Sequence, residues 1–233
     1  MDIAFANNYA HILEVDITPT AATRTWAWVG PGISNMDPNG NEKIDQSEYY
    51  DGGGMAASDV TGGQLVLGVS GHRRYGDPFQ DFVASLSYAY AEARKTRFRL
   101  TNPDGRVVIG KCTLANIKAF GPAGDANAKS DFSVEIHCNG IPDVTEPDSS
   151  KLPETVSLTD VAVTVGATVA ATATVTPDTA SDKLLYAVED PAIATVDSDG
   201  NVTGVAQGET GLTVKCAAKP SVLATATITV SAV

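Results

Sequence analysis

The chain has 233 residues and a formal net charge of −12 at pH 7, a length that suits one ordinary domain plus a smaller one. The surplus of acid argues against a nucleic-acid-binding protein, because such proteins replace phosphate counterions with Lys and Arg. The cysteines, Cys112, Cys138 and Cys216, are odd in number and widely spaced, so neither a disulfide framework nor a CxxC metal site is expected.

The aromatic residues are distributed unevenly. Fourteen of the fifteen lie before residue 150, and only Tyr186 follows. Residues 151–233 are mostly Val, Thr and Ala, at 44 of 83 positions, and the β-branched members favour pleated surfaces. Between the two parts, residues 141–153 carry three prolines and a run of small polar residues typical of a linker. We therefore predict a domain over residues 1–146, a linker over 147–153 and a second domain over 154–233.

Targeting signals are not evident in the sequence. The first residues carry Asp2 and no basic residue ahead of an apolar run, which is not typical of a secretory signal, and no apolar stretch reaches the length of a membrane span. We expect a soluble chain that is made in the cytoplasm.

Residues 35–63 are expected to form a long loop rich in acidic and amide side chains. These are Asp37, Asn39, Asn41, Glu42, Asp45, Glu48 and Asp51. Their spacing resembles an EF-hand calcium loop, but Glu42 stands where that loop requires glycine and Gly40 comes two positions early. No calcium site is therefore expected.

Strand and helix signals follow this loop. Residues 64–70 alternate as a strand does. Asp77 can cap a helix that begins at Pro78, and Gln80 is in capping-box register with it. Apolar residues continue at helical spacing, namely Phe79, Phe82, Val83, Leu86 and Tyr90.

Two basic clusters flank this helix. The first contains His72, Arg73 and Arg74, and the second contains Arg94, Lys95, Arg97 and Arg99. One interpretation is local, since cations complement the carbonyl end of a helix. The other is that these side chains contact acidic residues of another subunit. The three histidines have no ligand spacing, so no metal site is expected.

The remaining segments of the first domain are predicted to form strands. Residues 97–100 and 107–109 flank the turn at residues 102–105. Residues 131–139 alternate, with Phe132, Val134, Ile136 and Cys138 predicted to be buried. Cys138, like Cys216, is expected to be a buried free thiol. The domain is predicted to be a β-sandwich or open barrel flanked by one helix.

The second domain shows strand alternation throughout. Residues 161–175 read as one strand bent at Gly166, and residues 212–216 and 226–230 alternate in the same way. Turn signals separate these runs at residues 176–178, 199–201 and 207–209. Short strands at this spacing predict a β-sandwich.

The second domain also resembles a known family. The runs at residues 193–197, 200–204 and 208–214 (IATVD, NVTG after Gly200, and GETGLTV) resemble the bacterial immunoglobulin-like domain of group 2. The resemblance spans the whole domain and implies an accessory role on a surface, with weak contact to cell-surface glycans in some members. Fold analogy alone does not assign a function.

The first domain resembles the major tail, or tail tube, protein of long-tailed phages. The resemblance rests on motifs in order at residues 26–30, 59–63, 75–78, 124–129 and 135–140 (WAWVG, DVTGG, YGDP, GDANAK and EIHCNG). It covers nearly all of the first 145 residues. It implies a non-enzymatic, cofactor-free virion subunit whose strands join those of its neighbours into rings, commonly hexamers, that stack into a tube.

This resemblance also implies partners and a path for DNA. The partners are other copies of the chain, a tape-measure protein and the tail terminator and tip proteins. Genomic DNA would pass through the tube without specific binding, and the net charge of −7 over the first 150 residues would repel phosphate. Residues 35–63 would reach the adjacent ring, the alternative being a solvated loop. The alternative function is a surface or virion adhesin that binds glycans through its second domain.

Overall fold

A computed structural model describes residues 7–232 of the chain. The chain is mainly β, as predicted. Its N-terminal part contains one α-helix, α1 (Pro78–Ser85), between the sixth and seventh strands. The strands of this part are β1 (Ile12–Asp16), β2 (Trp26–Trp28), β3 (Ile33–Asn39), β4 (Lys43–Glu48), β5 (Ala56–Gly62), β6 (Val66–His72), β7 (Lys95–Thr101), β8 (Val107–Lys118), β9 (Asp131–Cys138) and β10 (Asp143–Thr145).

Eight of these strands form one sheet. Its order is β2-β1-β7-β8-β9-β6-β3, and β10 pairs with β8 outside that path. The predicted alternation of β9 is confirmed, because Phe132, Val134 and Ile136 are each 1% exposed. Phe79 of α1 packs against this face, and its ring meets that of Phe132 edge to face at 5.9 Å. Phe98 of β7 is also completely buried. The core of this part lies between the sheet and the helix.

The start of α1 follows the sequence prediction, but the role of Gln80 does not. Asp77 caps the helix by accepting a hydrogen bond from the Gln80 N–H at 2.8 Å. The buried Gln80 side chain donates to the carbonyls of Pro31 and His72 at 2.9 and 3.2 Å. Its oxygen accepts from the Arg74 N–H at 2.7 Å. Gln80 therefore connects the helix to the start of β3 and the end of β6, which lie together at one end of that strand pair, rather than completing a capping box.

The helix cap carries a testable pH dependence. Burial raises the pKa of Asp77 above its ordinary 3.8, although the Gln80 N–H and Arg74 partly offset this. A raised folded-state pKa means that the contribution of Asp77 to stability is present below pH 3.8 and is lost as the pH rises through the raised value. Asp77→Asn keeps the capping oxygen without the charge. We expect the free energy of unfolding of Asp77→Asn, measured in urea, to rise relative to that of wild type as the pH increases from 4 to 7. A constant difference would contradict this.

Residues 35–63 do not form the predicted loop. They complete β3 and then form β4 and β5, an antiparallel pair that makes its own two-stranded sheet. Hydrophobic periodicity does not indicate these strands. Nearly all of their residues are exposed, and therefore no buried apolar side alternates with a polar one.

The C-terminal part contains nine described strands. They are β11 (Thr155–Leu158), β12 (Val161–Thr164), β13 (Thr168–Ala170), β14 (Ala173–Thr176), β15 (Leu184–Val188), β16 (Ala194–Val196), β17 (Asn201–Gly204), β18 (Gly208–Cys216) and β19 (Leu223–Ser231). The sheets are β12-β19-β18-β15, β13-β17-β16 and β11-β14. Leu212, Ile228 and Val202 are completely buried between them, which confirms the predicted sandwich.

The predicted single strand over residues 161–175 is wrong in detail. The segment is divided among β12, β13 and β14, which belong to three different sheets. Gly166 adopts φ +81°, a conformation that suits glycine at a sharp turn. Val161 and Val163 are buried, whereas Val169 is 42% exposed. The alternation therefore continues through a change of sheet that sequence periodicity does not detect.

The contacts between Cα atoms divide the chain into two compact units. One unit contains the described residues up to Leu13, residues 100–108 and residues from 144 onward, and the other contains residues 14–99 and 109–143. Strand pairing is simpler, because no sheet contains strands from both β1–β10 and β11–β19. The domain boundaries at residues 146 and 154 stay a prediction. No helix within residues 7–232 is long and apolar enough to cross a membrane.

Candidate assembly surfaces

The β4–β5 hairpin, residues 43–62, projects as an exposed ribbon that we call the arm. It continues the hairpin of β3 and β6, whose pairing ends at Asn39 and Val66. Pairing within the arm begins after the three intervening residues 40–42, at Lys43, which pairs with Gly62. Every residue of its two strands is exposed except the half-exposed Ser47 and Gly62. The arm therefore has no core of its own.

The two faces of the arm differ in chemistry. Ile44 lies opposite Val60, and these side chains are 58% and 63% exposed. Asp45 lies opposite Asp59 on the other face, where two like charges oppose pairing. At the tip, Tyr50 is completely exposed. A two-stranded ribbon is marginally stable in water. Contact with a partner would bury the exposed apolar pair and is therefore favourable.

The residues predicted to form an inter-ring loop are spread along this hairpin. Asp37 and Asn39 lie in β3, Asn41 and Glu42 in the connection, Asp45 and Glu48 in β4, and Asp51 in a short turn at the tip. Asn41 adopts φ +42°, and its N–H donates to the Asn39 side chain at 2.9 Å. The extended backbone separates these oxygens along its length. Within residues 7–232, no three His, Cys, Asp or Glu side chains group as a metal site would require.

The eight-stranded sheet has two edge strands. Among residues 7–232, β3 at one edge pairs only with β6, and the short β2 at the other edge pairs only with β1. Pro38 lies in β3, and proline is tolerated at an edge because it lacks an N–H to donate. Unpaired edges favour association with another strand.

The helix explanation for the second basic cluster is wrong. α1 ends at Ser85, and its last turn contains no basic residue. Arg94 instead donates to the carbonyls of Ala89 and Ser87, at 2.6 and 3.3 Å. It thereby fixes the loop that follows the helix.

Two of the basic residues predicted to contact another subunit form ion pairs with exposed carboxylates of the same chain. Arg73 pairs with Asp81 at 2.5 Å and Lys95 with Glu92 at 2.5 Å. These intrachain pairs weaken the case for Arg73 and Lys95 as contacts to another copy. The assignment of this group of residues stays a prediction.

Arg99 belongs to a half-buried cluster. It pairs with Glu14, which is 2% exposed, at 2.5 Å, and its guanidinium lies 4.7 Å from the ring centre of Trp26. Removing one partner of a buried ion pair strongly destabilises the folded state, because the other charge is left buried without compensation. Arg99 is therefore part of the fold.

Arg97 differs from these neighbours. It lies in β7, half-buried, and lines a small cavity together with Lys111 and Asp16. Within residues 7–232, neither Arg97 nor Lys111 forms an ion pair with a carboxylate. Arg97 is thus the member of the second cluster whose charge is best placed for an acidic partner.

The face of β8 and β9 opposite the core carries a chain of polar contacts. Glu135 accepts a hydrogen bond from Asn116 at 2.7 Å and bonds to the Nε2 atom of His137 at 2.8 Å. These bonds, that from His137 first, hold the pKa of Glu135 below its ordinary value. Lys118 pairs with Asp131 at 3.0 Å. The alternation of β9 places Asp131, Glu135 and His137 on the side opposite its buried residues. It does not predict that Asp131 and Glu135 contact side chains of β8.

Comparisons with solved structures find similar chains in tails and injection systems. A chain from the tail of an empty gene transfer agent particle is 14% identical, covers 60% of this chain and 99% of its own, and gives a TM-score of 0.49. A chain from the virion of the native gene transfer agent particle is 14% identical over the same shares, with a TM-score of 0.45. A sheath/tube terminator of an extracellular contractile injection system is 11% identical over 62% of this chain and 99% of its own, with a TM-score of 0.41.

A comparison with curated proteins finds no match. The model of the bacterial Ig-like domain (group 2) family matches residues 153–230, a segment that includes all nine strands of the sandwich except the last residue of β19. This confirms the resemblance seen in the sequence. Residues 153–230 therefore form a bacterial immunoglobulin-like domain of group 2.

Proposed function

We propose that this chain is a non-enzymatic structural subunit of a phage tail, assembled into stacked rings that form a tube for genomic DNA. The observation that carries the proposal is the arm, an exposed ribbon with the apolar pair Ile44 and Val60 on one face and the acidic pair Asp45 and Asp59 on the other. A second copy of the chain is the partner to which we assign it. The resemblance of the first 145 residues to tail tube proteins points to the same assembly.

The open sheet edges support lateral closure into a ring. Joining β3 of one copy to the sheet of the next would satisfy backbone groups that are unpaired in the monomer. Closing all copies into one barrel would leave no edge. Six copies is the number that we propose, because the chain carries one copy of the tube motifs.

The polar face of β8 and β9 is the surface that we assign to the inside of the tube. Hydrogen bonds from His137 and Asn116 keep Glu135 ionised on this face. Lys118 on the same face is paired with Asp131, and the chain as a whole is strongly acidic. Such a wall repels phosphate and offers few cations to hold it. DNA would therefore slide past without specific binding. The tape-measure, terminator and tip proteins are the further partners, and the immunoglobulin-like domain would decorate the outside in weak contact with host glycans.

Electron microscopy of the purified full chain tests this function. We expect rings or tubes with an open channel, and a symmetry analysis of end views should give six subunits. A monomer that persists at high concentration and binds isolated cell walls would overturn the proposal in favour of an adhesin.

The acidic residues of the arm provide a second test. Asp45→Lys combined with Glu48→Lys reverses two charges on β4, one on each face of the ribbon. We expect stacking of rings to fail or to require a different salt concentration, because charges near a contact act within about 10 Å at 0.1 M salt. Tube length in micrographs across a salt series measures this. Tubes of normal length at every salt concentration would show that these acids lie away from the contact.

The second domain should be dispensable for assembly. A chain ending at Asp148 keeps β1–β10, which pair only among themselves. We expect it to form tubes of the same inner diameter and a smaller outer diameter in micrographs. Loss of tubes from a truncated chain whose circular dichroism still shows folded β-structure would assign the second domain a role in assembly.

A further inference from the structure

We propose that Cys112 and Cys138 form a latent disulfide site across the centre of the sheet. The two cysteines are direct partners in the antiparallel pairing of β8 and β9. Both are buried, at 0% and 4% exposure, and both are free thiols in this structure. The site does not depend on the function proposed above.

The hydrogen bonds fix which kind of pair the cysteines form. The Asn139 N–H donates to the Lys111 carbonyl at 2.8 Å, and the Cys138 N–H donates away from β8 to the Leu65 carbonyl at 2.8 Å. Lys111 and Asn139 are therefore a hydrogen-bonded pair, and Cys112 and Cys138 are the next, non-hydrogen-bonded pair. In such pairs the Cα atoms lie about 4.5 Å apart and the side chains are closest. A disulfide requires Cα atoms about 4.4–6.8 Å apart.

The position of the Cys138 sulfur agrees with this geometry. A Cβ atom added to Gly110 of β8 would lie 3.2 Å from that sulfur, so the Cys138 side chain leans over β8. Gly110 is two residues from Cys112 and therefore on the same face of the strand. The Cys138 thiol donates to the Gly140 carbonyl at 3.3 Å, a contact that a disulfide would replace.

Burial keeps the pair reduced until the strand end opens. It raises the pKa of the Cys112 thiol to about 12, with the neighbouring Cys138 adding to the rise, and the reactive species is the thiolate. Cys138 is the last residue of β9, and the next three residues, 139–141, are exposed. Fraying of this end would expose Cys138 before Cys112.

The oxidant that we assign is a small disulfide such as glutathione disulfide. The Cys138 thiolate attacks it, forming a mixed disulfide and releasing one glutathione thiolate. The Cys112 thiolate then attacks the Cys138 sulfur, forming the Cys112–Cys138 bond and releasing the second glutathione. The two thiol protons pass to the two glutathiones. A reducing cytoplasm keeps such pairs as thiols, and an oxidising exterior favours the disulfide.

Mass spectrometry of the full chain tests the site. The reduced protein is incubated with glutathione disulfide, once while folded and once during refolding in a glutathione redox buffer, and is then unfolded and alkylated. We expect the loss of two hydrogens, one alkylated cysteine at Cys216, and a proteolytic fragment that links Cys112 to Cys138. Three outcomes would overturn the proposal: three alkylated cysteines under both conditions, a stable glutathione adduct without the link, or a link to Cys216.

Two variants separate the pair from the third thiol. Cys216→Ser lies outside the pair, and we expect it to form the link as wild type does. Cys138→Ser should lose the link entirely and leave Cys112 alkylated. An internal disulfide in Cys138→Ser would contradict the assignment. Because the wild-type fragment identifies the bonded cysteines directly, the result holds even if a variant folds poorly.

Discussion

Replacing Ile44 and Val60 with Asp together should abolish assembly and leave the subunit folded. The two side chains face each other across the arm and are more than half exposed, so the substitutions remove no core contact. In an assembly they would become buried, where an unpaired carboxylate is strongly disfavoured. Each apolar side chain of this size contributes about 1.5–3 kcal/mol when completely buried. Two such losses at every contact are sufficient to prevent tubes.

The measurement combines sedimentation, micrographs and circular dichroism. A matched control is Val169→Asp, which places the same acid at a 42% exposed strand position of the immunoglobulin-like domain. We expect the control to assemble like wild type. Normal tubes from the Ile44 and Val60 double variant would mean that this face of the arm is not buried in the assembly, whereas an unfolded variant would mean that the arm stabilises the monomer.

Gln80→Ala is expected to cause the largest loss of stability of any single substitution considered above. The side chain is completely buried and makes three hydrogen bonds, to the Pro31 carbonyl, the His72 carbonyl and the Arg74 N–H. Removing it takes this partner away from three backbone groups, and the hydrogen bonds that are lost are partly buried. A buried polar group left unsatisfied costs about 1–3 kcal/mol, and we expect a total of about 3 kcal/mol.

Urea unfolding followed by the tryptophan fluorescence of the N-terminal part measures this loss. Gln46→Ala is the matched control, because Gln46 is an exposed glutamine of the arm with one side-chain bond, to Ser58 at 3.3 Å. We expect the control to change stability by less than about 0.5 kcal/mol. Equal effects for the two glutamines would show that the Gln80 contacts contribute little.

The sequence alone determined those elements whose signals are local or whose two faces differ in polarity. The start of α1 followed from Asp77 and Pro78, and β9 followed from its alternating apolar residues, because a one-sided core imposes a period of two on a strand. The β-sandwich of the second domain was predicted for the same reason. Its strands β18 and β19 alternate over their buried positions.

Only the tertiary structure decided the elements whose partners are distant in the chain. The arm is polar or mixed on both faces, so no period marks it. Gln80 has the register of a capping residue, yet its side chain bonds to a carbonyl 49 positions away. Arg99 pairs with Glu14 across 85 positions, and Cys112 meets Cys138 through strand register. Such contacts depend on which strands the fold places side by side, and local propensity carries no information about that choice.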